Sequence, residues 1–206
     1  REYMMRNKDV EFEFNDVSYQ LHFVQCSVFP QGYAAMVPMM DVDKQYNGFQ
    51  RFMGTVMMAD IGNGTMNIMF INDRKPILDR MFTEKYGTHQ CMLAVRENVM
   101  RTHHATVDDA IINRVLRFGT ADIREDYLTT IRETAAEYVG GIFRILREHE
   151  YDPALMRLHV LGGGGCLVRN FGAYDAGRVT IYEDICATAK GYEFLCEQAL
   201  RRGVGG

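Results

Sequence analysis

Two glycine-rich turns carry the residues whose chemistry is easiest to interpret. The first is Asp60-Ile61-Gly62-Asn63-Gly64-Thr65, and the second is Leu161-Gly162-Gly163-Gly164-Gly165. Glycine and asparagine tolerate positive φ, so a chain built from them folds back sharply and presents successive N–H groups to an anion. The residues on either side of each turn decide which class of site it can form.

The first turn lies between two apolar runs, Thr55–Ala59 and Met66–Ile71, so we expect it to join two strands as a β-hairpin. A Walker loop needs a G-x-x-x-x-G-K-[ST] lysine, which is missing. A dinucleotide fingerprint needs glycine where Asn67 stands, and a helix after it. A phosphate-binding hairpin and a plain hairpin turn both stay open at this point.

The second turn follows an apolar run, Leu158–Leu161, which indicates a buried strand, and it precedes a helix start at Cys166–Phe171. Four consecutive glycines cost conformational entropy, and they are useful where a flat group must lie directly against the backbone. A flexible strand-to-helix turn is the alternative.

The first turn resembles the second phosphate loop of the actin, sugar-kinase and heat-shock chaperone ATPases, D-I-G-G-G-T-x-D. The resemblance implies that Gly62, Asn63, Gly64 and Thr65 donate N–H and hydroxyl groups to the β- and γ-phosphates. It makes Asp60 the catalytic residue, which holds Mg²⁺ through water and helps to order the attacking water. Asn63 and Asn67 depart from the pattern, which has glycine and aspartate there.

The second turn resembles the adenosine motif of actin-like proteins, in which two hydrophobic residues precede G-G-G-A. Gly162, Gly163, Gly164 and Gly165 are then the adenosine-binding residues, with Gly165 in the alanine position. Asn113 and Arg114, on a helix expected from Thr106 to Arg117, are further candidates for the base or ribose, although a charged solvent-exposed face explains them as well.

The remainder of the chain resembles ParM/StbA-type plasmid-segregation proteins. The segment Asp184–Glu193 is similar to their D-x-x-A-N-A-x-G-[FY] helix, with Thr188 in place of asparagine, and Pro30–Ala35 precedes the phosphate loop as it does there. The resemblance implies an α/β fold, an actin-like ATPase (ribonuclease H-like) lobe with a mixed β-sheet flanked by helices. We expect a hairpin and linker region at 1–50 and the nucleotide-binding lobe at 51–206.

The same resemblance implies the function of the whole protein. We expect a bacterial, cytoplasmic, filament-forming ATPase in plasmid or DNA partition, with ATP or GTP and Mg²⁺ as ligands and a DNA-binding adaptor as partner. The chain begins at Arg1, and the first phosphate loop and the opposite lobe are missing, so we expect an excised second lobe with negligible activity alone. A sugar- or acetate-type kinase lobe and a non-catalytic interaction module with a degenerate fold are the alternatives.

Composition sets the broad limits on these interpretations. The 206 residues are 47% hydrophobic, enough for a sizeable core, and the net charge of −4 gives no reason to expect direct nucleic-acid binding. No apolar run is long enough for a membrane span. The five cysteines are dispersed, as expected of reduced thiols. His103-His104 and Asp41-Val42-Asp43 lack the further ligands of a zinc or calcium site.

The remaining patterns predict secondary structure. Alternating residues around Asn15-Asp16 predict a hairpin, and Tyr33–Met40 predicts a short helix followed by a polar loop from Asp41 to Arg51. Lys75-Pro76-Ile77 predicts a short strand. The helices expected in the second half are 89–100, 106–117 with Thr106 as N-cap, 122–148, and a closing helix from 184 or 185 to 201, with a strand at 179–182.

Overall fold

The computed structural model of the chain describes residues 1–48 and 50–203, which form two compact units divided between Gln31 and Gly32. The first unit contains a short helix α1 (Glu2–Arg6) and an antiparallel hairpin of β1 (Asp9–Phe14) and β2 (Val17–His22). Asn15 and Asp16 form its turn with φ of 50° and 60°. Both residue types tolerate this left-handed conformation, and the predicted hairpin is confirmed.

The second unit is a mixed five-stranded sheet flanked by helices, in the strand order β5-β4-β3-β6-β7. β3, β4 and β5 form an antiparallel meander, whereas β6 runs parallel to both β3 and β7. The predicted α/β class with a mixed sheet is therefore confirmed. Its strands are β3 (Thr55–Ile61), β4 (Met66–Asn72), β5 (Lys75–Glu84), β6 (Arg157–Leu161) and β7 (Val179–Ile181). Its helices are α2 (Gln31–Asn47), a short 3₁₀ helix (Gln50–Phe52), α3 (Thr88–His103), α4 (Asp109–Phe118), α5 (Glu125–Glu148), α6 (Gly165–Phe171) and α7 (Ala187–Gly203).

The central strand β3 is buried on both faces, which explains why its sequence is continuously apolar rather than alternating. Met57 and Ala59 pack into a large core with residues of α3, α4, α5 and α6. Val56 and Met58 point the other way and pack with residues of α2 and Phe52. The two layers fix the position of β3, and therefore of the turn that follows it.

The polar loop predicted from Asp41 to Arg51 is wrong, because α2 continues to Asn47. The reason is the carboxylate of Asp43, which is buried and accepts hydrogen bonds from the Asn47 side chain at 3.0 Å and the Arg51 N–H at 3.1 Å. The Arg51 guanidinium pairs with the same carboxylate at 3.3 Å. Polar residues in this stretch therefore stabilise the helix end instead of exposing a loop.

Two other boundaries, those of β5 and α4, differ from the sequence prediction. β5 extends to Glu84, far beyond the short strand expected at Lys75–Ile77, because it pairs along β4. The N-cap of α4 is Asp108, whose carboxylate accepts the Ala110 N–H at 2.7 Å, and not Thr106. The domain division expected at residue 50 remains a prediction, and the larger compact unit already begins at Gly32.

Within residues 1–48 and 50–203, no helix combines the length and the apolar character that crossing a bilayer requires.

Candidate nucleotide site

The first glycine turn is the tip of the β3–β4 hairpin, as predicted. Gly62 N–H donates to the Thr65 carbonyl at 2.8 Å and closes the turn. Asn63, Gly64 and Thr65 are exposed, and their N–H groups have no acceptor among the described residues. Three neighbouring N–H donors without an acceptor at one loop tip are suited to binding an anion.

The second glycine turn lies directly beside the first, because β6 is the parallel neighbour of β3 and pairs Leu161 with Asp60. The Gly164 N–H donates to the Ile61 carbonyl at 2.9 Å. Gly162 has a φ of +81°, which favours glycine. The structure thus brings together two turns that are far apart in sequence.

The two turns approach each other so closely that there is no space for a side chain at Gly162 or Gly164. A Cβ on Gly162 would lie 2.6 Å from both Asp60 Oδ1 and the Ile61 carbonyl oxygen. A Cβ on Gly164 would lie 2.2 Å from Ile61 Cγ2. Gly162 and Gly164 are therefore specified by their contact with the end of β3, whereas a Cβ on Gly163 would meet nothing within 4 Å.

A cavity of about 540 Å³ opens between the second turn, α4 and the segment after β7. Gly162 and Gly163 line it. Of the two residues predicted to contact the base or ribose, Asn113 lines the cavity, whereas Arg114 lies outside it and Arg117 lines it instead. Its lining residues are Thr88, Asn113, Leu116, Arg117, Phe118, Gly162, Gly163, Cys166, Leu167, Arg169, Glu183 and Ile185.

Two residues that the sequence did not identify hold α4 in place as the cavity wall. The Asn170 side chain donates to the carbonyls of Leu116 at 3.2 Å and Arg117 at 2.9 Å, which satisfies acceptors at the C-terminal end of α4. The Arg169 guanidinium donates to the Arg117 carbonyl at 3.4 Å and also pairs with Glu183 at the cavity rim. Because Arg169 and Asn170 belong to α6, the helix that follows the second turn also fixes the opposite wall.

Asp60 lies at the end of β3 beside Gly162, half-buried and alone. Burial raises the pKa of its carboxyl above the usual 3.8. No cation or hydrogen-bond donor among the described residues contacts its oxygens. A cation bound beside this carboxylate would offset the cost of its partial desolvation and lower its pKa.

The three departures from the phosphate-loop and adenosine motifs each have a local structural explanation. The Asn67 amide oxygen accepts the Thr83 hydroxyl at 2.9 Å, a cross-strand bond between β4 and β5. The Asn63 amide oxygen accepts the Thr88 hydroxyl at 3.3 Å, which ties the hairpin tip to α3. At Gly165, a Cβ would lie 3.1 Å from Ile181 Cγ2, so glycine relieves a tight contact with β7.

Comparison with solved structures identifies the fold. Over 93% of its length the chain superposes on Ta0583, an archaeal actin homolog solved in complex with ADP, with a TM-score of 0.67 and 18% identity. It matches apo psk41 ParM over 100% of its length, with a TM-score of 0.68 and 19% identity. The chain has an actin-like fold of the ParM type. The Alp12 filament structure gives a TM-score of 0.67 over 96% of the chain at 15% identity.

The chain spans only part of the length of these proteins, namely 64% of Ta0583, 59% of psk41 ParM and 62% of Alp12. No family model matches the sequence, and no curated protein matches it either. The actin-like fold predicted from the two glycine turns is therefore established by structure. The roles predicted for the individual site residues stay predictions.

Proposed function

We propose that this chain is the second lobe of an actin-like, filament-forming ATPase of the ParM/StbA type, which binds Mg-ATP or Mg-GTP at the edge formed by its two glycine turns. We further propose that the full-length protein acts in the bacterial cytoplasm, in plasmid or DNA partition, and that its partner is a DNA-binding adaptor.

The observation that carries the proposal is the hydrogen bond from Gly164 N–H to the Ile61 carbonyl. It places the hairpin of Asn63–Thr65, with its three free N–H donors, next to a cavity of about 540 Å³ floored by Gly162 and Gly163. A ligand with a polyphosphate at one end and a flat base at the other fits this pair of features.

The residues present also fit a magnesium ion carried by the phosphates. In the described part of the chain, no group of three or more His, Cys, Asp or Glu side chains is arranged to hold a metal. Mg²⁺ does not need such a group, because it is commonly bound by one or two carboxylates, waters and substrate phosphates. Asp60 would hold the ion through water, and Asn63, Gly64 and Thr65 would donate to the β- and γ-phosphates. The bound ion would supply charge neutralisation for phosphoryl transfer.

The test uses the full-length gene product, with and without Asp60→Ala. We expect the wild type to release phosphate from ATP and to scatter light as it assembles, and the variant to lose phosphate release by at least about 100-fold, the scale of one lost transition-state contact. Asp73→Asn, in the exposed β4–β5 turn at the opposite end of β4, is the matched control.

Three outcomes separate the alternatives. Equal phosphate release by wild type and Asp60→Ala contradicts the role of Asp60. Hydrolysis without assembly contradicts the filament and partition function, and favours a kinase of the same superfamily if a sugar or acetate stimulates it. No nucleotide binding at all favours a non-catalytic interaction module.

A further inference from the structure

The first turn of α3 lies against the tip of the β3–β4 hairpin, Gly62–Thr65, which is the proposed phosphate hairpin, and bonds to its backbone. Thr88 N–H donates to the Gly62 carbonyl at 3.0 Å, and His89 N–H donates to the Asn63 carbonyl at 2.8 Å. The first N–H groups of a helix have no intrahelical acceptor. Here the hairpin supplies the acceptors, so the helix start is occupied by the loop and is not free for an anion.

These two bonds determine which way the hairpin's own donors point. In a planar trans peptide, the carbonyl of one residue and the N–H of the next point in opposite directions. Because the carbonyls of Gly62 and Asn63 face α3, the N–H groups of Asn63 and Gly64 face away from it. Those are two of the three donors without a protein acceptor.

Gly87 makes the close approach between α3 and the hairpin possible. It is the N-cap of α3, and a Cβ built on it would lie 2.3 Å from the Asn63 carbonyl oxygen and 2.8 Å from that of Gly62. Both atoms belong to backbone that cannot turn aside as a side chain would. Any other residue at position 87 must push the hairpin away from the helix.

Gly87 is itself held on both sides. The Tyr138 hydroxyl of α5 donates to the Gly87 carbonyl at 2.7 Å, and the Gln90 side chain accepts the Gly87 N–H at 2.9 Å. The Tyr138 ring stacks on Tyr86 with centroids 4.3 Å apart. A buried hydroxyl on a core helix is thus linked through one residue to the phosphate hairpin.

We propose that Gly87 and Tyr138 are positioning residues, which hold the start of α3 against the hairpin and thereby aim the Asn63 and Gly64 N–H groups at the phosphates. The inference rests on the proposed nucleotide function, because it assigns these residues a role at that site. Neither residue touches the ligand; both act through Thr88 and His89.

Tyr138→Phe removes the hydroxyl and keeps the stacked ring, and Tyr86→Phe is the matched control from the same pair. The first readout is amide hydrogen exchange of Thr88 and His89 by NMR, on the whole chain without nucleotide. We expect exchange of these two amides to accelerate about fivefold in Tyr138→Phe, the scale of one lost neutral hydrogen bond, and to stay at the wild-type rate in Tyr86→Phe.

The second readout compares Mg-ATP with adenosine on the same variants. We expect Tyr138→Phe to weaken Mg-ATP binding several-fold and adenosine binding much less, because the displaced hairpin serves the phosphates, whereas Thr88 is the only described residue of α3 that lines the cavity. Gly87→Ala, if it folds, should show the same split with a larger loss. An equal loss for both ligands would reduce Tyr138 to a structural residue and overturn the inference.

Failure of the proposed nucleotide function and failure of the positioning role give different experimental results. If wild type gives no Mg-ATP response at millimolar nucleotide, the proposed function is wrong. If wild type responds but Tyr138→Phe leaves both the exchange of Thr88 and His89 and the Mg-ATP affinity unchanged, the nucleotide site stands and the positioning role is wrong.

Discussion

The backbone N–H of Gly164 donates to the carbonyl of Ile61 over 2.9 Å, and this one bond joins two glycine turns that lie on neighbouring parallel strands. It holds Gly164 so close to Ile61 that a Cβ on Gly164 would lie 2.2 Å from Ile61 Cγ2, and it places the cavity lined by Gly162 and Gly163 next to the phosphate hairpin. The function proposed for the chain depends on this junction.

Gly164→Ala should destabilise the fold, whereas Gly165→Ala should be tolerated. The added Cβ would lie 2.2 Å from Ile61 Cγ2 in the first variant and 3.1 Å from Ile181 Cγ2 in the second. Overpacking of the first kind costs about 2 kcal/mol, and the second needs a shift of only a few tenths of an ångström, so we expect less than about 1 kcal/mol. Urea unfolding measures both, and a Gly164→Ala variant as stable as wild type would contradict the packing described here.

Asn170→Asp should weaken adenosine binding more than Asn170→Ala. Alanine removes the donor to the Leu116 and Arg117 carbonyls, at about 1 kcal/mol, and aspartate also places a negative charge against those oxygens. The C-terminal end of α4 would then move away from the cavity. Titration with adenosine measures the effect, and identical affinity in wild type and both variants would show that this wall does not contact the ligand.

Stability should fall as the pH decreases from 6.5 toward 4, because of His159 in β6. Its ring is fully buried between Phe52 and Tyr182, and burial lowers its pKa from the usual 6.5 to about 4. The unfolded chain therefore takes up a proton in this window while the folded chain does not, and stability present above pH 6.5 is lost, by roughly 3 kcal/mol at the lower limit.

Urea unfolding as a function of pH tests the assignment to His159. Burial is the main cause of the lowered pKa of His159; the charges of Arg157 and Arg51 lower it further, whereas the Arg51 carbonyl, 3.1 Å from Nε2, and the Asp43 carboxylate raise it. His159→Gln keeps hydrogen-bonding atoms beside Tyr182 and the Arg51 carbonyl, so it should flatten the profile between pH 6.5 and 4. If the slope is unchanged in that variant, another group is responsible.

The isolated chain should bind Mg-ATP weakly and hydrolyse it at a negligible rate. Its described residues provide the phosphate hairpin and the cavity, which form one side of the proposed nucleotide site, and the chain spans 64% of Ta0583, 59% of psk41 ParM and 62% of Alp12. Calorimetric titration of the isolated chain checks this expectation, and micromolar binding would contradict it.

The local elements of the fold could be predicted because their signals are local. Asn15 and Asp16 tolerate the positive φ of the first turn, and the apolar runs on either side of Gly62 predicted β3 and β4. The polar stretch after Met40 was predicted incorrectly because its helical continuation depends on Asp43 and Arg51 meeting in space. No local pattern reports such a contact.

The site shows the same division between local and long-range information. The residue types of both turns predicted what each could bind, but the pairing of Asp60 with Leu161 depends on a long-range strand contact. The role inferred for Gly87 could not be predicted from the sequence either. Its signal is the absence of a side chain where α3 meets the hairpin, and its partner Tyr138 lies on a different helix.

The most direct test of the central claim is an NMR titration of this chain with Mg-ATP, recorded on the wild type and on Asp60→Asn. We predict that millimolar Mg-ATP shifts the amides of Asn63, Gly64 and Thr65 together with those of Gly162–Gly165. In Asp60→Asn the effect of adding Mg²⁺ to ATP should be lost, while Asp73→Asn responds as wild type. Unshifted amides at both turns, or equal shifts in the β1–β2 hairpin, would contradict the account.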